Sequence, residues 1–308
     1  MAVKPEITII IPVHNRERIV GRTLESIRCQ TFRPLAIVLV DNNSTDSTLS
    51  VLKQWKDENQ TEDFIVTVMS ETTPGATSAR NCGLKEASSE FVMFFDSDDT
   101  MEPSHVERAM RAFRYPRRPD IVGWNVTIHD ISGKTFSKPF WHRDSMWHCI
   151  MHGSMGTQRY AARRSVFLDA GNWNPRITGW NDIELGSRIL LNHPSIIKLH
   201  GGNTVHIHRQ MQSITGTDFS STPEKWEQAL DQIERNTPDR RQKRYVQLRR
   251  ALLSGDYARE GNYAESGRLL RQTLAKESSP FYRLLYRLAS TYVASGGRGA
   301  ARLLRPLF

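Results

Sequence analysis

A chain of 308 residues, 38% hydrophobic and 24% charged, has the composition of an ordinary folded protein with room for a full core and two units, which excludes disordered and fibrous classes. Its net charge of +9 is unevenly placed: Lys225 to Phe308 hold 17 Lys and Arg against 8 Asp and Glu, so the first 224 residues balance. No apolar run approaches the roughly 18 residues of a membrane span, no basic segment leads into an apolar signal core, and three scattered cysteines lack metal-ligand spacing, so a cytoplasmic protein with reduced thiols is expected.

The N-terminal two thirds alternate strand and helix. The run "ITIIIPV", Ile7 to Val13, is continuously apolar and β-branched, the mark of a strand buried on both faces. A helix follows, with Ile19, Val20, Leu24 and Ile27 at helical spacing. The pattern repeats: a strand from Leu35 to Val40, a polar turn, and a helix turning Leu49, Leu52 and Trp55 inward. "IVTVM" is a third strand, "ATSARNCGLKEAS" a helix, and "FVMFF" a fourth strand. Such alternation predicts a mostly parallel sheet with right-handed crossovers, whose ligands bind beyond the C-terminal strand ends.

Three polar clusters then share one crevice. The first strand ends in Pro12, His14 and Asn15, the second in Asp41, Asn42 and Asn43, and the fourth runs into Asp96, Asp98 and Asp99. No GxGxxG or GxxxxGK[ST] phosphate loop is present, so the turns carry acids and amides in place of a glycine cradle. Carboxylates packed this closely repel unless a cation or a proton neutralises one of them, and Mg²⁺ or Mn²⁺ bridging to a phosphate is the direct answer. Each cluster has a plainer reading. Asp41 to Asn43 could form turns, Asp46 or Ser44 could cap the next helix, and Arg80 taken alone reads as a surface residue. Three acids are more than a cap before "EPSHVERAM" requires, since Ser104 can also serve.

The segments "TIIIPVHNRERIVGRTLESIRCQTF", "IVLVDNNSTDST", "GATSARNCGLKEASSEFVMFFDSDD" and "GWNDIELGSRIL" resemble, in order, the motifs of family 2 glycosyltransferases over roughly residues 5 to 215. The resemblance implies a GT-A fold: a Rossmann-like, mostly parallel α/β sheet flanked by helices, here with a C-terminal all-helical extension. The expected division is residues 1–222 as the GT-A domain and 223–308 as the helical region. By resemblance, Pro12, His14 and Asn15 line the base pocket, Asp41 and Asn42 read base and ribose, and Arg80 lies near the diphosphate. Many members have Asp where this chain has Asn42, which weakens the inference of uracil. Asp96, Ser97 and Asp98 match the DxD motif. Asp98 is the first metal ligand expected, with Asp96 and Asp99 on the ribose or the metal's water shell and His208 near the metal or diphosphate.

Asp182 takes the place of the family's catalytic base, with Asn181 where an acid is more usual, and the helix turning Ile183, Leu185 and Ile189 inward begins beside it. A helix N-terminus keeps such a carboxylate ionised and able to accept a proton. The plainer reading is an N-cap, and Glu184 is the alternative base. His206 and His208 share one strand face, at least one of them reading as structural. Trp147, His148 and Trp180 could stack on sugar rings or sit in a core.

The implied activity is an inverting glycosyltransferase assisted by Mn²⁺ or Mg²⁺. It would move a sugar from a nucleotide-diphosphate donor, a UDP-sugar first, to a hydroxyl of a glycan or lipid-linked acceptor in polysaccharide synthesis. The alternative is an inactive nucleotide-binding scaffold acting through its basic tail. In that tail, "YAREGNYAESGRLL" recurs loosely as "YVASGGRGAARLL" 35 residues later, suggesting tetratricopeptide-like hairpins. Phe281, Leu284, Leu285, Leu288 and Tyr292 form one apolar face beside Arg283 and Arg287, either a core stripe or a peripheral contact with the inner face of an anionic membrane. The basic charge is not interleaved with stacking aromatics, so no nucleic acid is expected as a partner.

Overall fold

A computed structural model describes residues 4–116, 118–210 and 218–308. Contacts divide the chain into two compact units. The first comprises residues 1–143, 154–176 and 192–212, and the second residues 144–153, 177–191 and 213–308. The expected cut at residue 222 is thus corrected. Two internal segments belong with the C-terminal helices, because their apolar side chains pack there and contiguity in sequence does not decide it.

The first unit is built on a seven-stranded sheet. In chain order its strands are β1 (Ile7–Val13), β2 (Leu35–Asp41), β3 (Phe64–Ser70), β4 (Phe91–Phe94), β6 (Ile121–Gly123), β9 (Tyr160–Arg163) and β10 (Ile196–Lys198), arranged β10-β6-β9-β4-β1-β2-β3. Pairs β1/β2, β1/β4, β2/β3 and β6/β10 are parallel; β9 runs antiparallel to both neighbours. The continuous apolar runs are explained by burial on both faces: every residue of β1 and β4 is buried. Helices α1 (Val20–Arg28), α2 (Thr48–Asn59), α3 (Ala76–Glu86), α4 (His105–Phe113) and α6 (Arg164–Asp169) belong to this unit. A second, four-stranded sheet holds β5 (Thr100–Met101), β7 (Val126–His129), β8 (Thr135–Lys138) and β11 (Val205–His208), ordered β5-β11-β7-β8. Because β5 starts directly after the aspartate row and pairs with β11, it carries His208 to the end of β4.

One buried titratable group tests this core. His105 on α4 is fully buried, its Nδ1 2.7 Å from Thr204 Oγ1 and its ring edge-on to Trp124. Loss of hydration, with Arg108 adding to it, holds its imidazole down at about 3. The folded pKa lies below the unfolded one, so the unfolded chain takes up the proton first. Stability is therefore complete above about pH 6.5 and is lost as pH falls toward 3, by up to about 1.4 kcal/mol per unit. Thermal melts from pH 7 to 4 should show a shallower decline in His105→Gln than in the wild type; equal slopes would remove His105 as the cause.

The second unit is helical: α5 (Ser145–His152), α7 (Asn181–Leu191), α8 (Pro223–Asn236), α9 (Arg240–Arg259), α10 (Tyr263–Ala275), α11 (Pro280–Ala294) and α12 (Ala300–Leu304). The 35-residue repeat has a structural basis, since α9 and α11 both end shortly before a left-handed glycine, Gly261 at φ 89° and Gly296 at φ 84°. The second hairpin is abbreviated, α12 having five residues against thirteen in α10. Helices α9 and α11 approach closely at Gly255, where an added Cβ would lie 2.5 Å from the Ser290 carbonyl oxygen. Trp147 is buried edge-on to Tyr245, at 5.0 Å between ring centroids, and His148 is buried as well. Trp180 is enclosed by Trp226 and the Arg249 guanidinium. All three therefore take the core reading, and their rings are not open to sugars.

Candidate active site

The loops after β1 and β2 are stitched to each other. Asn15, at φ 51°, accepts the Thr45 N–H at 2.8 Å and donates its own backbone N–H to Ser44 Oγ at 3.0 Å. The Asp46 carboxylate accepts the Thr48 N–H, serving the start of α2 as its plainer reading held. Pro12 is buried within β1, whereas His14 is exposed with Nδ1 2.7 Å from the Asn42 carbonyl oxygen. Asp41 is buried at the end of β2. Its Oδ2 accepts the Ser44 N–H at 3.3 Å, and its Oδ1 has no partner among the described residues. An orphaned carboxylate oxygen at a strand end is an acceptor waiting for a donor such as a base N–H.

Asn42 is different. Both hydrogens of its amide are used, by the carbonyls of Glu71 and Thr73 at 2.8 Å each, and its oxygen accepts the Gly75 N–H at 2.7 Å. Its side chain pins the loop between β3 and α3, which corrects the expectation that it reads base or ribose. An aspartate here would face two carbonyl oxygens with no hydrogen to give them. Asn42→Asp should thus cost about 2–4 kcal/mol of stability and loosen nucleotide binding, measured by denaturant unfolding and calorimetry. A variant as stable as the wild type would refute this account.

The aspartate row is held by three residues from distant parts of the chain. Asp96 Oδ1 accepts from Arg80 at 2.8 Å, and Asp96 Oδ2 accepts from Gln158 Nε2. The same Gln158 nitrogen donates to Asp99 Oδ2, and Asp99 Oδ1 accepts the His208 N–H at 2.9 Å. Arg80 is 5% exposed and lies over the Trp173 ring at 4.5 Å, so its charge serves to fix Asp96. Asp99 is 1% exposed with both oxygens engaged. Burial first, then Asp96 and Asp98, push its carboxyl well above the ordinary range. This moves Asp99 from the metal set to an anchor between the row and β11.

Asp98 remains as the member whose carboxylate takes no side-chain hydrogen bond among the described residues, whereas Asp96, 30% exposed, has both oxygens engaged by Arg80 and Gln158. The Asp98 side chain is 23% exposed, and Arg16 stands 3.7 Å from Oδ2. Burial, with Asp96 adding repulsion, raises its pKa against the opposing charges of Arg16 and Arg22. A cation at this point would relieve that repulsion. Ser97 between them is buried. His208 does reach this end of the sheet, but Nε2 lies 3.1 Å from Thr100 Oγ1 and its ring stacks on His129 at 4.6 Å. Burial, followed by the charges of Arg22, His129 and His206, depresses it to about 4. His206 is tied between His129 and Glu102, at 3.0 Å to each, which is the structural role expected for one of the pair. Among the described residues no three His, Cys, Asp or Glu side chains converge as a ready-made metal cage. The residues fit a cation taken by Asp98 and completed by the oxygens of a bound ligand and by water, as divalent ions at phosphates commonly are.

Beside the row, a cleft of about 470 Å³ is lined by Ile19, Arg22, His129, Asp130, His208 and Arg209, among others. Arg22 joins it to the row, since its guanidinium donates to the Asp98 carbonyl. Arg209 pairs with Asp130 at 3.5 Å, and Arg22 beside acids that can take a cation is suited to a diphosphate.

The family model for glycosyl transferase family 2 matches residues 8–165, just over half of the chain. The chain belongs to glycosyl transferase family 2. Among curated relatives it is similar to glycosyltransferase GlyA of Streptococcus pneumoniae, 36% identical over 35% of this chain and 15% of that protein. It is also similar to the GalNAc(5)-diNAcBac-PP-undecaprenol beta-1,3-glucosyltransferase of Campylobacter jejuni, 35% identical over 32% of this chain and 31% of that one. The matched part of the chain spans only 15% to 50% of the length of these and similar relatives. Among solved structures, S. aureus TarS 1-349 in complex with UDP-GlcNAc aligns at TM-score 0.68 and 17% identity, over 98% of this chain and 92% of that one. The mannosyltransferase PcManGT from Pyrobaculum calidifontis, in complex with GDP-Man and Mn2+, aligns at 0.59 and 19%, over 99% and 88%. These likenesses establish the GT-A fold.

In the second unit, Asp182 and Glu184 occupy the first turn of α7. Trp180 enters that turn at φ 49°, a left-handed conformation that its packing against Trp226 sustains. Asp182 is half-buried, and its Oδ1 accepts the Ile183 N–H at 2.9 Å. Glu184 is 1% exposed and grips Arg188 through two hydrogen bonds of 2.8 Å, which takes it out of contention as a base. Gln158, Trp173, Arg16 and Arg22 were not singled out from sequence. Gln158 lies in a short turn before β9 within "GTQRY", which carries no signal of its bridging role.

Proposed function

We propose that this enzyme transfers a sugar, with inversion, from a UDP-sugar to a hydroxyl of a glycan or lipid-linked acceptor. The observation carrying this reading is the aspartate row: a partly open Asp98 facing Arg16, beside Asp96 and Asp99 that are held by Gln158, at the C-terminal end of a buried parallel strand. Asp41, whose Oδ1 has no partner among the described residues, is assigned to the base, together with His14 and Asn15 on the adjoining loop. The cleft lined by Arg22 and His208 takes the diphosphate. Mn²⁺ or Mg²⁺ held by Asp98 would supply positive charge against the departing diphosphate. Asp182 is assigned by its motif to removing the acceptor proton, which requires one displacement and no carboxylate nucleophile. The UDP-GlcNAc complex of TarS and the undecaprenol-linked name of the Campylobacter relative support the donor and acceptor classes.

The test is calorimetric titration of UDP, GDP and dTDP, each with and without Mn²⁺. Metal-dependent binding of UDP in preference to the other two is expected. Preference for GDP would overturn the donor assignment, and metal-independent binding would overturn the role of Asp98.

A further inference from the structure

Helix α11 has two apolar faces. Leu285, Tyr286, Ala289 and Val293 are buried, Val293 facing Gly255 of α9. Phe281, Leu284, Leu288 and Tyr292, spaced three, four and four residues apart, form a second stripe that is 42% to 55% exposed. The core reading of this helix therefore holds for Leu285 alone among the five residues of its sequence stripe. Arg283 and Arg287 run along one edge, and with Pro280 and Leu284 they line a surface hollow of about 200 Å³. Beyond the helix, Leu303 and Leu307 are also exposed, at 65% and 43%, and the Tyr282 hydroxyl donates to the Leu307 carbonyl.

The charge on this part of the chain has one sign. From Ser278 to Phe308 there are five arginines and no Asp or Glu. Arg305 pairs with Asp144, whereas among the described residues Arg283, Arg287, Arg298 and Arg302 have no carboxylate partner. A helix that shows water four large apolar side chains is unusual unless something covers them. The cover must also accept several unpaired arginines. A second copy of this chain meets that requirement poorly, because a two-fold contact would set the same arginines against one another with no acid between them.

We propose that the α11 stripe is a docking surface for an anionic lipid bilayer. The helix lies in the interface plane, with Leu284 and Leu288 in the acyl boundary, Phe281 and Tyr292 at headgroup depth, and Arg283 and Arg287 on lipid phosphates. The proposal is independent of the donor chemistry.

The test is flotation of the purified full chain with vesicles of pure phosphatidylcholine and with vesicles containing about one third phosphatidylglycerol. The wild type should float with the anionic vesicles only, and less as salt rises. Leu284→Glu/Leu288→Glu and Arg283→Glu/Arg287→Glu should each lower that partition more than about tenfold, while thermal melts and nucleotide titration stay unchanged. Equal partition of wild type and variants would overturn the proposal. So would a wild-type dimer, seen by sedimentation without vesicles, that the leucine variant breaks, or retention on duplex DNA with no vesicle binding.

Discussion

Asp98→Ala should lower turnover by about a thousandfold or more while leaving the fold intact or slightly more stable. The two halves of this expectation come from one fact. Burial and the neighbouring Asp96 push the Asp98 carboxyl above its ordinary range, so its charge is disfavoured in the ligand-free fold. Removing it relieves repulsion within the row, and it removes the acid assigned to the cation. Thermal unfolding without metal should give a midpoint equal to or above that of the wild type, and Mn²⁺ should no longer raise it. A variant that unfolds early would mean that Asp98 is a structural member like Asp99, whose two oxygens are committed to Gln158 and the His208 N–H.

Asp182→Asn should reduce kcat by about a hundred- to ten-thousandfold with the KM for donor little changed, because an amide keeps the shape but cannot accept the acceptor proton. Calorimetric nucleotide affinity should match the wild type, which separates this loss from that of Asp98→Ala. The bond from the Ile183 N–H to Asp182 Oδ1 can be made equally by an asparagine oxygen, so α7 should be unaffected. Equal turnover in the variant would leave Asp182 with a structural role in the first turn of α7 alone. Glu184 could not replace it, being held by Arg188 in a buried fork.

The roles within the row show where sequence reasoning stopped. Asp96, Asp98 and Asp99 stood out because three acids after an apolar strand exceed what a turn needs. The resemblance put Asp98 first, but the residues themselves did not show what holds Asp96 and Asp99, since that depends on Gln158, 59 residues from Asp99 in sequence, and on Arg80 lying over Trp173. Asn42 was similarly deceptive. Its position in the motif suggested a nucleotide contact, but its amide was selected by the carbonyls of Glu71 and Thr73, which only the folded loop brings to it.

The sequence by itself determined the parallel core, the family and the residues that cluster at the strand ends. Continuous β-branched runs have one low-energy use in water, burial on both sheet faces, and the polar residues that interrupt them must then lie at the ends. The tertiary structure alone decided which polar groups are satisfied internally and which are left facing outward. It inserted β9 antiparallel between β4 and β6, gathered α5 and α7 with the C-terminal helices, and closed one face of α11 while leaving the other exposed. Periodicity records that a helix has an apolar side. Only the neighbours that fold against it determine how much of that side meets water.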